Sequence, residues 1–302
     1  MQTPNPNNPS WGIGGALLVW LVSILLVVFM PLLFLIPYIF YSGAANSLPA
    51  LVEFASKDRT AILLQLLAVF PSHLITFLLV WLVVTRFGRQ SFRAAIGLEF
   101  PTQFPWWLDL LLSVGVGIAL FVVGSLIAKL LGASKSTQLE QIINSSLAAR
   151  YTISFLAVFT APFVEEFIYR GVLYSALQKT IGIYGGLLIA SAFGEKLDQN
   201  RQERLGVSGA VVVVLVLFTI IHVPQYWPNF GVIAAVALLS IVLTLVRAFS
   251  RRLLPCVVIH FVFNGIQAAL LIVEPFLHRF LPAPDQVAPT AGLLLSLIGL
   301  RF

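Results

Sequence analysis

The chain has 302 residues, of which 59% are hydrophobic and only 10% charged. A soluble domain carries about 25% charged residues, so a soluble enzyme, a disordered chain and a coiled coil are all excluded. The net charge of +6 sits in short basic clusters between apolar runs, which is the positive-inside pattern of a membrane protein; no nucleic-acid partner is expected.

The first ten residues carry no Lys or Arg, so they lack the basic start of a signal peptide, and the apolar run Ile13–Tyr41 reads as a retained first span. Pro31 and Pro37 in its second half predict a kink or tilt. A second span is predicted over Ala61–Thr85, ending in Arg86, Arg89 and Arg93. The third runs from the Trp106/Trp107 pair, suited to the lipid interface, to Leu131. Its Ser113/Gly117 and Gly124/Ala128 pairs suit close helix packing. Gly132–Arg150 reads as an external or interfacial helix.

The fourth span starts near Tyr151 and is not clean, because Glu165, Glu166 and Arg170 lie inside it. A short apolar piece, Ile181–Phe193, precedes the charged loop Glu195–Arg204. The fifth span is predicted over Val207–His222, the sixth over Phe230–Val246 and the seventh over Leu253–Val273. The tail holds one more apolar stretch, Ala291–Leu300, short for a crossing. The predicted fold is all-α, a polytopic transmembrane bundle of about seven or eight spans. Residues 1–150 form the N-terminal spans, 151–273 the core and 274–302 a tail. The Arg86–Arg93 and Arg247–Arg252 clusters read as cytoplasmic anchors. They put the N-terminus inside, and the count closes if Ile181–Phe193 adds no full crossing. The localisation expected is the cell membrane, multi-pass, with lipid as a partner; the oligomeric state is not written in the sequence.

An ionisable group at the bilayer centre costs about 2.5–3.5 kcal/mol on insertion scales. Glu165, Glu166, Arg170, His222 and His260 therefore need a partner, a wet cavity or a function. Glu166 and Arg170 are four apart with the acid first, the favoured order for an ion pair within a helix. Glu165 points about 100° away and is the carboxylate free to face a cavity. His260 and Asn264 share a face, as do Phe218 and His222. Each has a plain structural alternative: a buried ion pair, an interfacial histidine, a hydrogen bond between helices. His73, His278 and Cys256 read as structural residues. One carboxylate with two imidazoles can take a proton from water, as general-base hydrolysis of a peptide requires. Glu165, His222 and His260 can equally be three ligands of a catalytic Zn²⁺, with Asn264 as a donor to the oxyanion.

Glu165-Glu166-Phe-Ile-Tyr-Arg170 resembles the EExxxR motif of the CPBP family, the CAAX-protease and bacteriocin-processing membrane proteins. Phe218-Thr-Ile-Ile-His222 is similar to its FxxxH motif and His260-Phe-Val-Phe-Asn264 to its HxxxN motif, in the same order. Glu195–Arg204 reads as an insertion between the first two. The resemblance implies an intramembrane endopeptidase of the type II CAAX prenyl endopeptidase kind, acting on a peptide or lipidated protein. It implies that Glu165 and His222 activate the water, that His260 and Asn264 complete the site, and that Glu166 and Arg170 support it. Two other readings stand beside it: a non-catalytic immunity or interaction protein on the same fold, and a transporter, against which no internal repeat is seen.

His222 ends its span near one membrane face, while His260 lies about 11 Å from the other at 1.5 Å per residue. For the two to meet across a core of about 30 Å, the connection near 223–229 is expected to dip into the membrane.

Overall fold

The computed structural model describes residue 6 and residues 8–44, 47–132 and 137–277. The expected tail span, Ala291–Leu300, and His278 lie outside the described residues. The described chain is all helical, and seven of its helical runs are long and apolar enough to cross a membrane. It is a multi-pass membrane protein.

Helix α1, Ile13–Ser42, runs without interruption through Pro31 and Pro37. The amphipathic α2, Leu48–Lys57, leads into the second crossing, α3 Arg59–Leu67 and α4 Val69–Thr85. The break falls at Ala68 because Pro71 has no N–H to give to the Leu67 carbonyl. A short α5, Phe92–Ile96, precedes the third crossing, α6 Trp106–Leu130. The predicted external helix is α7, Gln138–Ser145, started by a reciprocal capping box of Thr137 and Glu140.

The fourth run is continuous from Leu147 to Phe193. It comprises α8 Leu147–Phe155, a wide π turn Leu156–Thr160, α9 Ala161–Glu166, a second π stretch Phe167–Leu173, and α10 Tyr174–Phe193. Its 47 residues would reach about 70 Å at 1.5 Å per residue, far beyond a core of about 30 Å. Ile181–Phe193 therefore adds no crossing; it extends the fourth run and packs on α11, Gln199–Tyr226. The segment expected as a charged loop is partly helix, since Asp198 caps α11 by accepting from the Arg201 N–H at 2.8 Å. Two further crossings, α12 Phe230–Ser250 and α13 Leu254–Leu277, complete the bundle.

Contacts at one end of the bundle support the topology. Leu253 N–H donates to Gly97 O at 2.8 Å. Arg252 grips Asp109 at the start of α6 through two bonds of 2.6 and 2.7 Å. Gln90 donates to Ser10, and Lys179 to Pro9 O. The N-terminal segment and both basic clusters thus share one end. At the opposite end Arg150 pairs with Glu274 at 3.3 Å. Seven alternating crossings match this arrangement.

Arg247 is no surface anchor: α12 runs past it, and its side chain is fully buried, donating from Nε to Arg170 O at 3.2 Å and from Nη2 to Ser175 Oγ at 3.0 Å. Arg251 and Arg252 keep the surface role. The third crossing packs closely, as its small residues imply. A Cβ on Gly117 would lie 2.8 Å from Val262 and 3.0 Å from Ile259 O. Gly206 is tighter still, because a Cβ there would collide with the Gln178 carbonyl of α10.

Gly206→Leu is expected to lower stability by about 1–3 kcal/mol through overpacking, read as a fall in the melting temperature of the solubilised protein. Gly115→Ala on the open face of α6, where a Cβ meets nothing within 4 Å, should be neutral or stabilising by up to about 1 kcal/mol.

Candidate active site

Pro162 organises the local backbone. It has no N–H, so the ordinary bond to Val158 O cannot form. Just before it, Ala161 N–H reaches back five residues to Leu156 O, a π pattern that recurs when Tyr174 N–H bonds Tyr169 O. Such turns are uncommon and cluster at functional sites. Here they bracket Glu165 and Glu166.

The two carboxylates part as helix geometry predicts. The Glu166 side chain is 0% exposed and that of Glu165 is 23% exposed. Glu166 Oε1 accepts from Arg170 Nη1 at 3.0 Å and from His260 Nδ1 at 2.8 Å. Arg170 spends its other donors on α12: Nη2 on Ser240 O and Oγ, both at 3.1 Å, and Nε on Thr244 Oγ1 at 3.3 Å. Its guanidinium also lies 4.5 Å from the centre of the Phe218 ring.

His260 is held by this network. A carboxylate only accepts, so Nδ1 carries the hydrogen and Nε2 keeps its lone pair. Nε2 lies 3.8 Å from Glu165 Oε2, too long for a hydrogen bond. Among the described residues Glu165 accepts no hydrogen bond. Its charge lies within electrostatic reach of His73 and of Tyr226.

His222 joins the group through Phe218. Its Nδ1 donates to Phe218 O at 2.6 Å, which again leaves Nε2 free. Its ring packs 4.5 Å from Phe218, whose other neighbours include His260 at 6.3 Å and Tyr169 at 5.0 Å. Tyr226 stacks on its other side at 6.5 Å. Asn264, one turn beyond His260, gives one amide hydrogen to Ala157 O at 2.8 Å. His73, expected as a structural residue, bonds Thr160, and Cys256 is buried.

The depth mismatch closes without an irregular dip. Residues 223–226 remain helical with Pro224 inside the helix, and the connection is only Trp227–Asn229. Phe218 lies between the two levels, its ring 4.5 Å from that of His222 and 6.3 Å from that of His260, and His260 is beside the middle of α6, where Gly117 meets Ile259 and Val262. Hydropathy located the span ends but not their level in the bundle.

The geometry gives Glu165 and His260 one shared space. It gives no three-donor set for a metal: among the described residues no group of three His, Cys, Asp or Glu side chains is arranged to hold one. Ser240, Thr244 and the hub role of Phe218 escaped the sequence reading. The available signal was a pair of hydroxyl residues four apart in an otherwise apolar span, facing an arginine that had to be solvated.

Fold and site together define a multi-pass helical membrane protein with an interior acid–base cluster. Residues 147–266, which contain all seven residues of the three motifs, match the family model described as type II CAAX prenyl endopeptidase Rce1-like. The match covers less than half of the chain and makes that region similar to a CAAX-type membrane protease family. No curated protein and no solved structure matches the chain.

Arg170→Met leaves the Glu166 charge buried and unpaired. The expected loss is about 3–5 kcal/mol, seen as a large drop in melting temperature. Thr244→Val, which removes one acceptor of the same arginine, should cost about 1–3 kcal/mol.

Proposed function

We propose that the protein is an intramembrane endopeptidase of the cell membrane that hydrolyses a peptide bond in a membrane-associated protein. Prenylated CAAX-type chains are the substrate class suggested by the family description. The observation that carries this reading is the 3.8 Å gap between Glu165 Oε2 and His260 Nε2, with the imidazole anchored from behind by a buried carboxylate–arginine pair. One water about 2.8 Å from each group fits such a gap.

Glu165 is the base. As the water oxygen bonds to the substrate carbonyl carbon, a water proton passes to Glu165 and the carbonyl pair moves onto oxygen. His222, with Nδ1 committed to Phe218 O, offers Nε2 as the second group acting on the water. The remaining amide hydrogen of Asn264 is the donor offered to the developing oxyanion, while His260 Nε2, with Nδ1 committed to Glu166, accepts from the water and helps to place it. Collapse of the intermediate breaks the C–N bond, and Glu165 returns its proton to the leaving amine. Glu166 and Arg170 hold His260 in place and take no part in proton transfer. Glu165, His222 and His260 do not form a three-donor set for Zn²⁺, so the proposed route runs through the side chains alone.

The test is cleavage of a lipidated peptide by the purified protein in nanodiscs. Glu165→Gln and His222→Ala should each lower the rate by about 10²-fold or more, the usual worth of a general base, with melting temperature unchanged. Full cleavage by Glu165→Gln rejects the assignment. A chelator that leaves the rate intact supports the glutamate–histidine route; loss restored by Zn²⁺ supports the metal.

A further inference from the structure

The π turn before Glu165 is gripped from two other helices. In a regular helix Ala161 N–H would donate to Ala157 O. It bonds Leu156 O instead, and the Ala157 carbonyl takes the Asn264 amide at 2.8 Å. On the other side, α4 packs against this turn and α9. His73 Nδ1 lies 2.9 Å from Thr160 Oγ1, the last residue of the turn. The Thr160 hydroxyl donates to Leu156 O at 3.0 Å. Its oxygen is therefore the acceptor, and His73 Nδ1 is the donor. His73, Thr160 and Leu156 O form one hydrogen-bonded chain that ends on the carbonyl closing the π turn.

We propose that His73 is a positioning residue of the hydrolytic site: through Thr160 it locks the π turn and so sets the rotation of Glu165 toward His260. A slip of that turn by one residue would swing the following side chains by about 100°, exchanging the open position of Glu165 for a different one. Pro162 removes the competing bond behind the turn, Asn264 holds one side, and His73 holds the other. The inference rests on the reading of Glu165 as the base.

The purified full-length protein in nanodiscs tests it with the lipidated peptide. His73→Leu and Thr160→Val should each lower kcat by roughly 10- to 100-fold with KM unchanged, the effect of misplacing a reacting group by about 1 Å. The double variant should be no worse than either single one, because both cut the same chain. His73→Asn and Thr160→Ser, which keep a donor or hydroxyl at the same atom position, should retain most of the rate. A second readout does not depend on activity. In a Cys256→Ala background, Glu165→Cys should react with a water-soluble maleimide, and adding Thr160→Val should slow that reaction severalfold. Wild-type kcat in Thr160→Val, or unchanged labelling, overturns the proposal. Retained cleavage in Glu165→Gln overturns the underlying reading instead, while the labelling still reports whether the turn is positioned by His73.

Discussion

A charge inside an apolar bundle must be solvated by the protein itself, and the Arg170 guanidinium is where that requirement is most demanding. Both it and Glu166 are fully buried. Their mutual attraction is offset by desolvation unless the remaining donors are satisfied. They are satisfied by Ser240 and Thr244 on α12, by the Phe218 face on α11, and by Glu166, whose second donor is His260 on α13. One side chain therefore fixes the register of four helical segments against each other. The catalytic geometry proposed for His260 is a by-product of that solvation: the same carboxylate oxygen that neutralises the arginine orients the imidazole.

The backbone follows a related rule. In lipid every carbonyl needs a partner, and the two π stretches loosen the ordinary ladder. Side chains from elsewhere meet the carbonyls they present. Asn264 takes Ala157 O, Arg247 takes Arg170 O, and Trp11 Nε1 takes Val172 O at 3.0 Å. The irregular backbone around Glu165 and Glu166 is thus pinned by the last helix, the sixth crossing and the N-terminal segment. Trp20 adds a bond to the Tyr169 hydroxyl at 3.0 Å, so the first helix also contributes to the site's frame although it carries no motif.

Much of this was legible in the residues. Runs of about 20 apolar side chains mark spans because the hydrocarbon core is about 30 Å thick, which gives seven or eight crossings and leaves Ile181–Phe193 undecided. Buried charge is rare enough in such spans that Glu165, Glu166, Arg170, His222 and His260 stand out. What stayed hidden depends on relations between helices. Arg247 beside Arg251 and Arg252 looks like a surface cluster until the length of α12 is known. The π turns leave no mark in hydropathy; only Pro162 hints at them. The Leu253–Gly97 bond, which ties the start of α13 to the segment before α6, joins residues far apart in sequence. Thr160 and His73 are each unremarkable alone and meaningful only as a pair.

Glu165 and Glu166 show how adjacency in sequence can divide labour. Two carboxylates sharing one charge partner would compete for it, and like charges in a poor dielectric raise each other's cost. The step of about 100° between neighbours on a helix resolves the conflict geometrically. Glu166 turns inward and is neutralised by Arg170 through Oε1, while its buried Oε2 takes no hydrogen bond among the described residues. Glu165 turns the other way, is partly exposed and, among the described residues, accepts no hydrogen bond; the His260 ring stands 3.8 Å from it. Glu166 Oε1 already accepts from Arg170 and His260, whereas among the described residues Glu165 has both oxygens uncommitted. The arrangement works because the supporting pair is electrically neutral as a unit, so it can hold the imidazole firmly without adding a net charge that would compete with the carboxylate beside it.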